Sequence, residues 1–185
     1  YLCDDSDVLN YDGGHRLNPR PSKVVIGMDF GGNGSMTTMV CALYFRNYHL
    51  IFAVEEDYLE LSADIDADQI CEKFIEFYRM CIEKYERVDS IRSAARKARL
   101  PYTNIAGCRK NEISERPRTV DLLLNTGRLK IHRRCVRLRK AIGSLKWDEK
   151  KPNIPEDKNI GNCNDWWDAF CYTMLDFIEY IDLDR

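Results

Sequence analysis

The sequence predicts an α/β domain whose mixed five-stranded sheet is flanked by helices. Three strand-like segments follow one another between residues 24 and 54, with short connections between them. Helical patterns then alternate with further short strand-like segments, and a helix rich in aromatic residues closes the pattern. A strand meander followed by alternating strands and helices is typical of a mixed sheet covered by helices.

The first three strands are predicted by β-branched and aromatic residues. Val24–Met28 is a continuous apolar run, which suits a strand buried on both faces, and it ends at Asp29 before the glycine-rich segment Gly31–Gly34. Residues 36–45 predict the second strand. Residues 49–54 predict a third strand, antiparallel to the second because the connection between them is short.

Helix boundaries are predicted by capping residues and by apolar spacing. Asp66, with Gln69 three residues later, has the pattern of a capping box. The apolar residues that follow recur at helical spacing, namely Ile70, Phe74, Phe77 and Cys81. A short fourth strand is predicted around Arg87–Val88, before Asp89, followed by a basic helix at Arg92–Arg99 and a fifth strand at Tyr102–Ala106. The remaining predicted elements are helices near 112–125 with Gly127 at the end, from about His132 to Ile142 and from Asn164 to about Tyr180.

Charge is distributed unevenly along the chain. The net charge is −2, yet residues 91–151 hold 18 basic against 5 acidic side chains, or +13, and the remainder holds 10 against 25, or −15. Such segregation favours a polyanion as partner, although a solvated basic helix balanced by an acidic one would give the same counts. No apolar run approaches the roughly 20 residues needed to cross a bilayer, so no membrane partner is expected.

The first 22 residues differ in composition from the rest of the chain. Residues 1–22 are polar and contain several Asp, Gly and Pro residues, which predicts a linker or hinge, and the folded domain is expected to cover residues 23–185. Because the first residue is not Met, we expect a longer polypeptide from which this chain derives.

The eight cysteines lack the close pairs of a zinc site and fall mostly in predicted strands and helices, so we expect reduced thiols.

Three aspartates are candidate metal ligands. Asp29 and Asp89 each follow a short predicted strand, and Asp168 lies in the first turns of the last helix, beside the small residue Ala169. If the two strands are adjacent and parallel, their ends meet at one edge of the sheet, where α/β folds usually place their sites. Converging carboxylates repel one another, and Mg²⁺ or Mn²⁺ would relieve that repulsion and promote phosphodiester cleavage. Each aspartate alone could instead form a turn or favour a helix N-terminus.

Two motifs add a family resemblance. The segment Gly27–Gly34 resembles the first strand and turn of the ribonuclease-H-like superfamily. The segment Asn164–Tyr172 resembles the last-helix signature of phage large terminase nuclease domains, which reads Asp-His-x-x-Asp-Ala, then an Arg and a Tyr. The leucine-rich stretch Leu122–Leu129 and the basic segment follow the order of that family, and the resemblance covers about residues 23–181.

The resemblance implies a ribonuclease-H-like fold and a DNA endonuclease that cuts concatemeric viral DNA during genome packaging. The acidic positions of the family correspond to Asp29, Asp89 and Asp168, which would hold Mg²⁺ or Mn²⁺, two ions in all. An ATPase domain would precede the nuclease domain in the same polypeptide. Double-stranded DNA, the portal and the small terminase subunit would be partners, in the host cell cytoplasm.

Basic residues and departures from the signature complete the site hypothesis. Candidate DNA contacts are Lys110, which follows the family order, and the basic residues in or near the predicted helix 132–142, namely Arg133, Arg134, Arg137 and Lys140. The His of the signature is Asp165 here, three residues before Asp168, so it could be a fourth acidic ligand or a helix cap. The Arg of the signature is Cys171.

The sequence leaves three other functions open. A junction-resolving or transposase-type nuclease of the same superfamily would prefer branched DNA. A non-catalytic DNA-binding module would bind DNA without cutting it. An actin-like or sugar-kinase ATPase shares the glycine-rich turn after its first strand, but it needs a second such turn after an apolar strand, which this sequence lacks.

Overall fold

The computed structural model describes residues 2–9, 21–31, 36–45, 49–60, 66–85, 107, 115–146, 148–150 and 163–181. The strands are Leu2–Cys3 (β1), Lys23–Asp29 (β2), Thr37–Phe45 (β3), Leu50–Leu59 (β4) and Leu129–His132 (β5). The helices are Asp5–Leu9 (α1), Ala67–Tyr85 (α2), Glu115–Asn125 (α3), Val136–Ser144 (α4) and Cys163–Met174 (α5), the last continued by a 3-10 segment at Leu175–Tyr180. The strands predicted at Arg87–Val88 and Tyr102–Ala106 and the helix predicted at Arg92–Arg99 lie outside the described residues.

The five strands form one mixed sheet in the order β1-β5-β4-β3-β2. β2 pairs antiparallel with β3, and β3 pairs antiparallel with β4. β5 runs parallel to both of its neighbours, β4 and β1. The predicted antiparallel meander followed by parallel strands is confirmed, with β4 extending further than predicted, to Leu59.

Residues 2–9 belong to the fold, whereas the composition of residues 1–22 predicted a linker. β1 pairs with β5, and Cys3 and Val8 are buried. The acidic residues have structural contacts, since the Asp4 carboxylate accepts hydrogen bonds from two amides of α1 at 2.9 and 3.2 Å and thereby starts that helix. Two buried apolar side chains in a polar segment thus add a strand to the sheet. A preceding domain stays a prediction.

Helices cover both faces of the sheet. Along β3, alternate side chains point to opposite sides, so that Val40 and Ala42 face a cluster formed with α3, α4 and α5. Met39 and Cys41 face a second cluster, formed with α2. β3 is consequently buried along its whole length, as a central strand between two covered faces must be.

β2 is less buried than the strand predicted from its apolar run. In the described part of the sheet it lies at the edge, and most of its residues are partly exposed. Its apolar residues nevertheless face both clusters, since Val25 packs on the α5 side and Val24 and Ile26 pack on the α2 side. The continuous apolar run reflects two covered faces, and among the described strands β2 pairs with β3 alone.

The predicted ends of two helices are confirmed. At the start of α2, the amide of Gln69 donates to the Asp66 carboxylate at 2.9 Å, and the amide of Asp66 donates to the Gln69 side chain at 3.1 Å. The inward stripe of this helix is also confirmed, with Phe77 and Cys81 buried. At the end of α3, Gly127 has a positive φ of 69°, the left-handed conformation that glycine adopts most readily.

Helix α4 begins at Val136, so the prediction that it starts near His132 is wrong. His132 instead ends β5, which pairs in parallel with β4. The carboxylate of Glu56 on β4 explains the later start, because it accepts hydrogen bonds at 2.8 Å from the amides of Arg137 and Leu138 in the first turn of α4. An acidic group at this end of a helix is stabilising.

The described cysteines are all free, as predicted, namely Cys3, Cys41, Cys71, Cys81, Cys135 and Cys171. Burial raises the pKa of the Cys3 thiol to about 12, which disfavours the reactive thiolate. All but Cys71 are buried and act as small apolar core residues.

Among the described residues, no helix combines the length and hydropathy of a membrane-spanning segment.

Candidate active site

Asp29 is the last residue of β2 and lies opposite Thr38 on β3. Alternate side chains of a strand share a face, so Asp29 lies on the same side as Gly27, the side covered by α5. Gly27 brings this helix close, because a β-carbon there would overlap the carbonyl oxygen of Ala169 and lie 2.8 Å from the amide nitrogen of Thr173. The Asp29 carboxylate therefore lies beside the first turns of α5.

Asp168 lies in the second turn of α5 and is paired with a buried arginine. Its Oδ1 accepts a hydrogen bond from Nη1 of Arg116, on α3, at 3.0 Å. The Arg116 side chain is 5% exposed and the Asp168 side chain is 36% exposed, so the pair is buried on its arginine side and open on its aspartate side. The guanidinium carbon of Arg116 also lies 5.5 Å from the centre of the Tyr172 ring.

Asp29 and Asp168 both lie near Tyr172. Burial, together with the negative charges of Asp168 and Asp29, raises the pKa of Tyr172 to about 12, against the opposing effect of Arg116. Both carboxylates thus act on one phenol from two different elements, β2 and α5. Of the three predicted catalytic aspartates, Asp29 and Asp168 lie on the two elements that meet at Gly27. Asp89 lies outside the described residues.

Asp165 lies one turn before Asp168 and is bonded to the start of β3. Its Oδ2 accepts a hydrogen bond from the amide of Met36 at 3.2 Å. Its carbonyl oxygen accepts one from the Thr38 hydroxyl at 2.8 Å. These bonds fasten the beginning of α5 to the point where the chain enters β3. Asp165 is therefore at the site, with one carboxylate oxygen bonded to the backbone of another element.

The described residues supply oxygen ligands suited to a hard cation. Asp29 and Asp168 place carboxylates on one side of the sheet, with Asp165 in the neighbouring turn of α5. Carboxylate oxygens are the ligands that Mg²⁺ and Mn²⁺ prefer. Within the ranges that the structure describes, no group of three or more His, Cys, Asp or Glu side chains is arranged to hold a metal ion. The third predicted ligand, Asp89, lies outside those ranges.

The basic residues predicted to contact DNA differ in their environments, and Lys110 lies outside the described residues. Arg133 and Lys140 are exposed, as their predicted position on the outer face requires. Arg134 and Arg137 are partly buried and contact other side chains of the protein. Two of the four described candidates are thus exposed.

Arg134 belongs to a polar network on the α2 side of the sheet. Its Nη1 donates to Glu55 Oε1 at 2.8 Å, its Nη2 pairs with Asp5, and its Nε donates to His132 Nδ1 at 2.9 Å. Glu55 is buried and also accepts a hydrogen bond from the Tyr85 hydroxyl. Arg134 therefore connects α1, β4 and β5, which gives it a structural role.

Arg137 is held against two aromatic rings on the same side of the sheet as Asp29. Its guanidinium carbon lies 3.7 Å from the centre of the Tyr58 ring and 5.7 Å from that of Trp166. Its Nη2 donates to the Tyr58 hydroxyl at 2.7 Å. Tyr58 is opposite Thr38, which is opposite Asp29, so Tyr58 lies two strands, or roughly 10 Å, from Asp29.

Sequence reasoning did not identify Arg116 as part of the site. The available signal was spacing, because Arg116, Val120 and Leu123 recur at helical intervals and all three are buried. A charged residue in line with an apolar stripe is the pattern that could have identified it.

Comparison with known proteins identifies the fold. No protein-family model and no curated protein matches the sequence. The crystal structure of the large terminase nuclease domain of bacteriophage SPP1, with bound Mn, matches with a TM-score of 0.59 and 21% identity, covering 94% of this chain and 93% of that one. The P22 large terminase nuclease domain matches with a TM-score of 0.55 and 12% identity, covering 90% and 92% of the two chains.

A longer solved structure gives the same result. The large terminase of a thermophilic bacteriophage matches with a TM-score of 0.54 and 20% identity over 86% of this chain. This chain covers 40% of that terminase. At these identities the comparisons show the fold, which is the predicted ribonuclease-H-like mixed sheet, shared with large terminase nuclease domains over most of the chain.

Proposed function

We propose that this chain is a metal-dependent DNA endonuclease, the nuclease domain of a viral large terminase that cuts concatemeric DNA during genome packaging. The observation that carries the proposal is the close approach of β2 to α5 at Gly27, because Asp29 lies on this strand and Asp168 on this helix. This approach occurs within a fold shared with large terminase nuclease domains, one of which was crystallised with bound Mn.

Carboxylates would hold the metal ions. Asp29 and Asp168 are the central pair, Asp89 is the proposed third ligand, and Asp165 would add a further carboxylate from the preceding turn of α5. Two Mg²⁺ or Mn²⁺ ions would supply an activated water and stabilise the leaving oxygen during phosphodiester hydrolysis. The protein itself contributes position, because the backbone contact between β2 and α5 fixes the central pair, and Arg116 offsets part of its negative charge.

Basic residues near this site would bind the DNA backbone. Arg133 and Lys140 are exposed at the two ends of one basic segment. Arg137 is held by aromatic rings about two strands from Asp29, which places a guanidinium on the side of the sheet where the substrate would lie. Lys110 is proposed as a further contact. Each phosphate contact of this kind weakens as salt rises.

The wider assembly follows from the same proposal. This chain covers 40% of the large terminase of a thermophilic bacteriophage, which leaves most of such a protein outside the matched region. An ATPase domain of the same polypeptide, the portal and the small terminase subunit are the proposed protein partners. The proposed substrate is double-stranded viral DNA in the host cell cytoplasm.

Cleavage of supercoiled plasmid tests the activity. We expect nicked and linear products with Mn²⁺ or Mg²⁺, none with chelator, and none from Asp29→Asn or Asp168→Asn. The matched control is Asp121→Asn, an exposed aspartate of α3, which should cut normally. Cutting that persists in chelator contradicts the proposal. DNA binding without cutting would identify a non-catalytic module, and preference for branched DNA would identify a junction-type nuclease.

A further inference from the structure

A buried arginine lies behind the candidate metal ligand Asp168. Arg116 is in the first turn of α3, and its Nη1 donates to Asp168 Oδ1 at 3.0 Å. Its guanidinium also contacts Tyr172, to which it is hydrogen-bonded. One planar, charged group therefore joins two residues of α5 that are one helical turn apart.

The position is unfavourable for an arginine. A buried guanidinium loses its hydration, and the first turn of a helix disfavours positive charge. Arg116 shares a buried stripe with Val120 and Leu123, where an apolar side chain would pack without these costs. Its Nε is buried and has no hydrogen-bond partner among the described residues. Packing of α3 alone therefore gives no reason for an arginine here, whereas the bond to Asp168 does.

We infer that Arg116 is a positioning residue for the metal ligand Asp168, an inference that rests on the proposed function. The hydrogen bond to Oδ1 fixes the orientation of the carboxylate, and the partial exposure of Asp168 leaves it open to a cation from the solvent side. The charge of Arg116 also offsets repulsion between Asp168 and Asp29 before a cation arrives. Groups that orient a metal ligand from behind strongly affect metal affinity.

A purely structural role is the competing explanation. Arg116 could do no more than connect α3 to α5, in which case its loss would lower the melting temperature and leave metal binding unchanged. A role in positioning Asp168 predicts a loss of metal affinity that depends on the Asp168 carboxylate. The two explanations therefore differ in a binding measurement, which does not require the enzyme to cut DNA.

The test is titration calorimetry of Mn²⁺ into the chain as it exists and into Arg116→Gln. We expect the variant to bind Mn²⁺ roughly 10- to 100-fold more weakly, as for other groups that orient metal ligands. Arg118→Gln is the matched control, because this exposed arginine of the same helix carries the same charge, and its affinity should be unchanged. In an Asp168→Asn background, adding Arg116→Gln should cause no further loss.

Unchanged or tighter Mn²⁺ binding in folded Arg116→Gln would overturn the inference and leave the proposed nuclease function intact. Absence of Mn²⁺ binding by the unsubstituted chain would overturn both. If Arg116→Gln does not fold, Arg116→Lys decides, because it keeps the buried charge but lacks the rigid planar fork of donors that fixes the orientation of the Asp168 carboxylate. Weaker Mn²⁺ binding by the lysine variant supports positioning, and wild-type affinity contradicts it.

Discussion

The carbonyl oxygen of Ala169 occupies the space that a β-carbon on Gly27 would need, leaving no room for a side chain between strand and helix. The amide nitrogen of Thr173 is also within 2.8 Å of the place that such a β-carbon would occupy. This contact sets the distance between the two elements that carry the central carboxylates. Asp29 is two residues beyond Gly27, and Asp168 is adjacent to Ala169, so the contact also sets the spacing of the candidate metal ligands.

Gly27→Ala should therefore destabilise the fold and abolish cutting. The neighbouring atoms are backbone and cannot rotate away, so we expect a loss of at least about 2 kcal/mol, within the usual range for overpacking. The displaced α5 would move Asp168 away from Asp29 and weaken Mn²⁺ binding. Chemical denaturation and Mn²⁺ titration measure the two effects.

The matched control for this prediction is Gly143→Ala. A β-carbon at Gly143, in α4, would meet nothing within 4 Å. Alanine is also the better helix former, so this variant should be as stable as the wild type or more stable by roughly 0.5–1 kcal/mol. Equal stability of the Gly27 and Gly143 variants would show that α5 does not depend on the glycine contact.

Removing either central carboxylate should stop cutting while leaving the domain folded. Asp29→Asn and Asp168→Asn each replace a charged ligand with a neutral one of almost the same volume, and the new amide oxygen at 168 can still accept the hydrogen bond from Arg116. Plasmid cleavage and circular dichroism measure the two properties. For Asp89→Asn, at a position outside the described residues, we expect the same loss. Cutting by Asp89→Asn beside an inactive Asp29→Asn would show that the third ligand lies elsewhere.

Asp165 should separate a structural role from a ligand role. Asp165→Ala removes the acceptor for the Met36 amide and should cost roughly 1 kcal/mol, whereas Asp165→Asn retains an acceptor and should cost little. If Asp165 is a fourth ligand, the asparagine variant should still bind Mn²⁺ more weakly, since an amide is the poorer ligand. Wild-type Mn²⁺ affinity in Asp165→Asn would leave Asp165 as a residue that only fastens α5 to β3.

Loss of a basic residue that contacts DNA should reduce the salt dependence of DNA binding. Loss of one phosphate contact flattens the log–log dependence of affinity on salt by about 0.9. The double variant Arg133→Ala with Lys140→Ala should therefore flatten it by roughly 2, and Arg137→Ala by about 1. The slopes are measured by fluorescence anisotropy of duplex DNA binding over a salt series. Chelator is present throughout, so that the DNA is not cut.

Arg134→Ala is the control for the salt series. Its guanidinium is bonded to Glu55 and Asp5, so its removal should lower stability and leave the slope unchanged. The loss of stability is expected because Glu55 would keep a buried charge with fewer partners. A flatter slope for Arg134→Ala than for Arg137→Ala would reverse the proposed division between structural and DNA-binding arginines.

His132 should make the fold sensitive to acid. Its Nδ1 accepts hydrogen bonds from the amide and from Nε of Arg134 at 3.1 and 2.9 Å, so that nitrogen carries no proton. Burial, followed by the charge of Arg134, lowers the pKa of His132 below its ordinary value of 6.5. The unfolded chain thus binds this proton more tightly, and the free energy of unfolding should fall as the pH drops below about 6.5.

Urea denaturation between pH 7.5 and 5.5 measures this dependence. His132→Asn is the comparison variant, because its amide oxygen can accept in place of Nδ1 and does not titrate in this range. We expect a shallower decline of stability with acid in the variant than in the wild type. Parallel curves for the two proteins would show that His132 does not contribute to the acid sensitivity.

Several features of the site could be predicted from short stretches of sequence. The apolar run before Asp29 predicted a strand that ends in a carboxylate, and the residues around Asp168 predicted its helix. The capping pair Asp66 and Gln69 and the helix-ending Gly127 form the predicted contacts. In each case the signal lies within one or two turns of the chain, because capping and apolar periodicity depend on near neighbours.

Features that depend on distant partners were not predicted. β1 joins the sheet because Cys3 and Val8 find buried positions against elements far along the chain. Helix α4 starts late because Glu56, on β4, binds its first amides. No local pattern in either segment contains this information, so composition suggested a linker in one case and periodicity an earlier start in the other.

The sequence by itself determined the strands of the meander, the main helices, and the positions of Asp29 at the end of a strand and Asp168 within a helix, since these follow from apolar spacing and from residues that start or stop an element. Only the tertiary structure decided what the charges do. Arg116 and Asp168 are 52 residues apart and form a half-buried pair, while Arg133 remains in solvent. The physical reason is that the stability of a charged side chain depends on the charged partners and the solvent around it. Those partners can be far away in the sequence, and the packing of the fold brings them together.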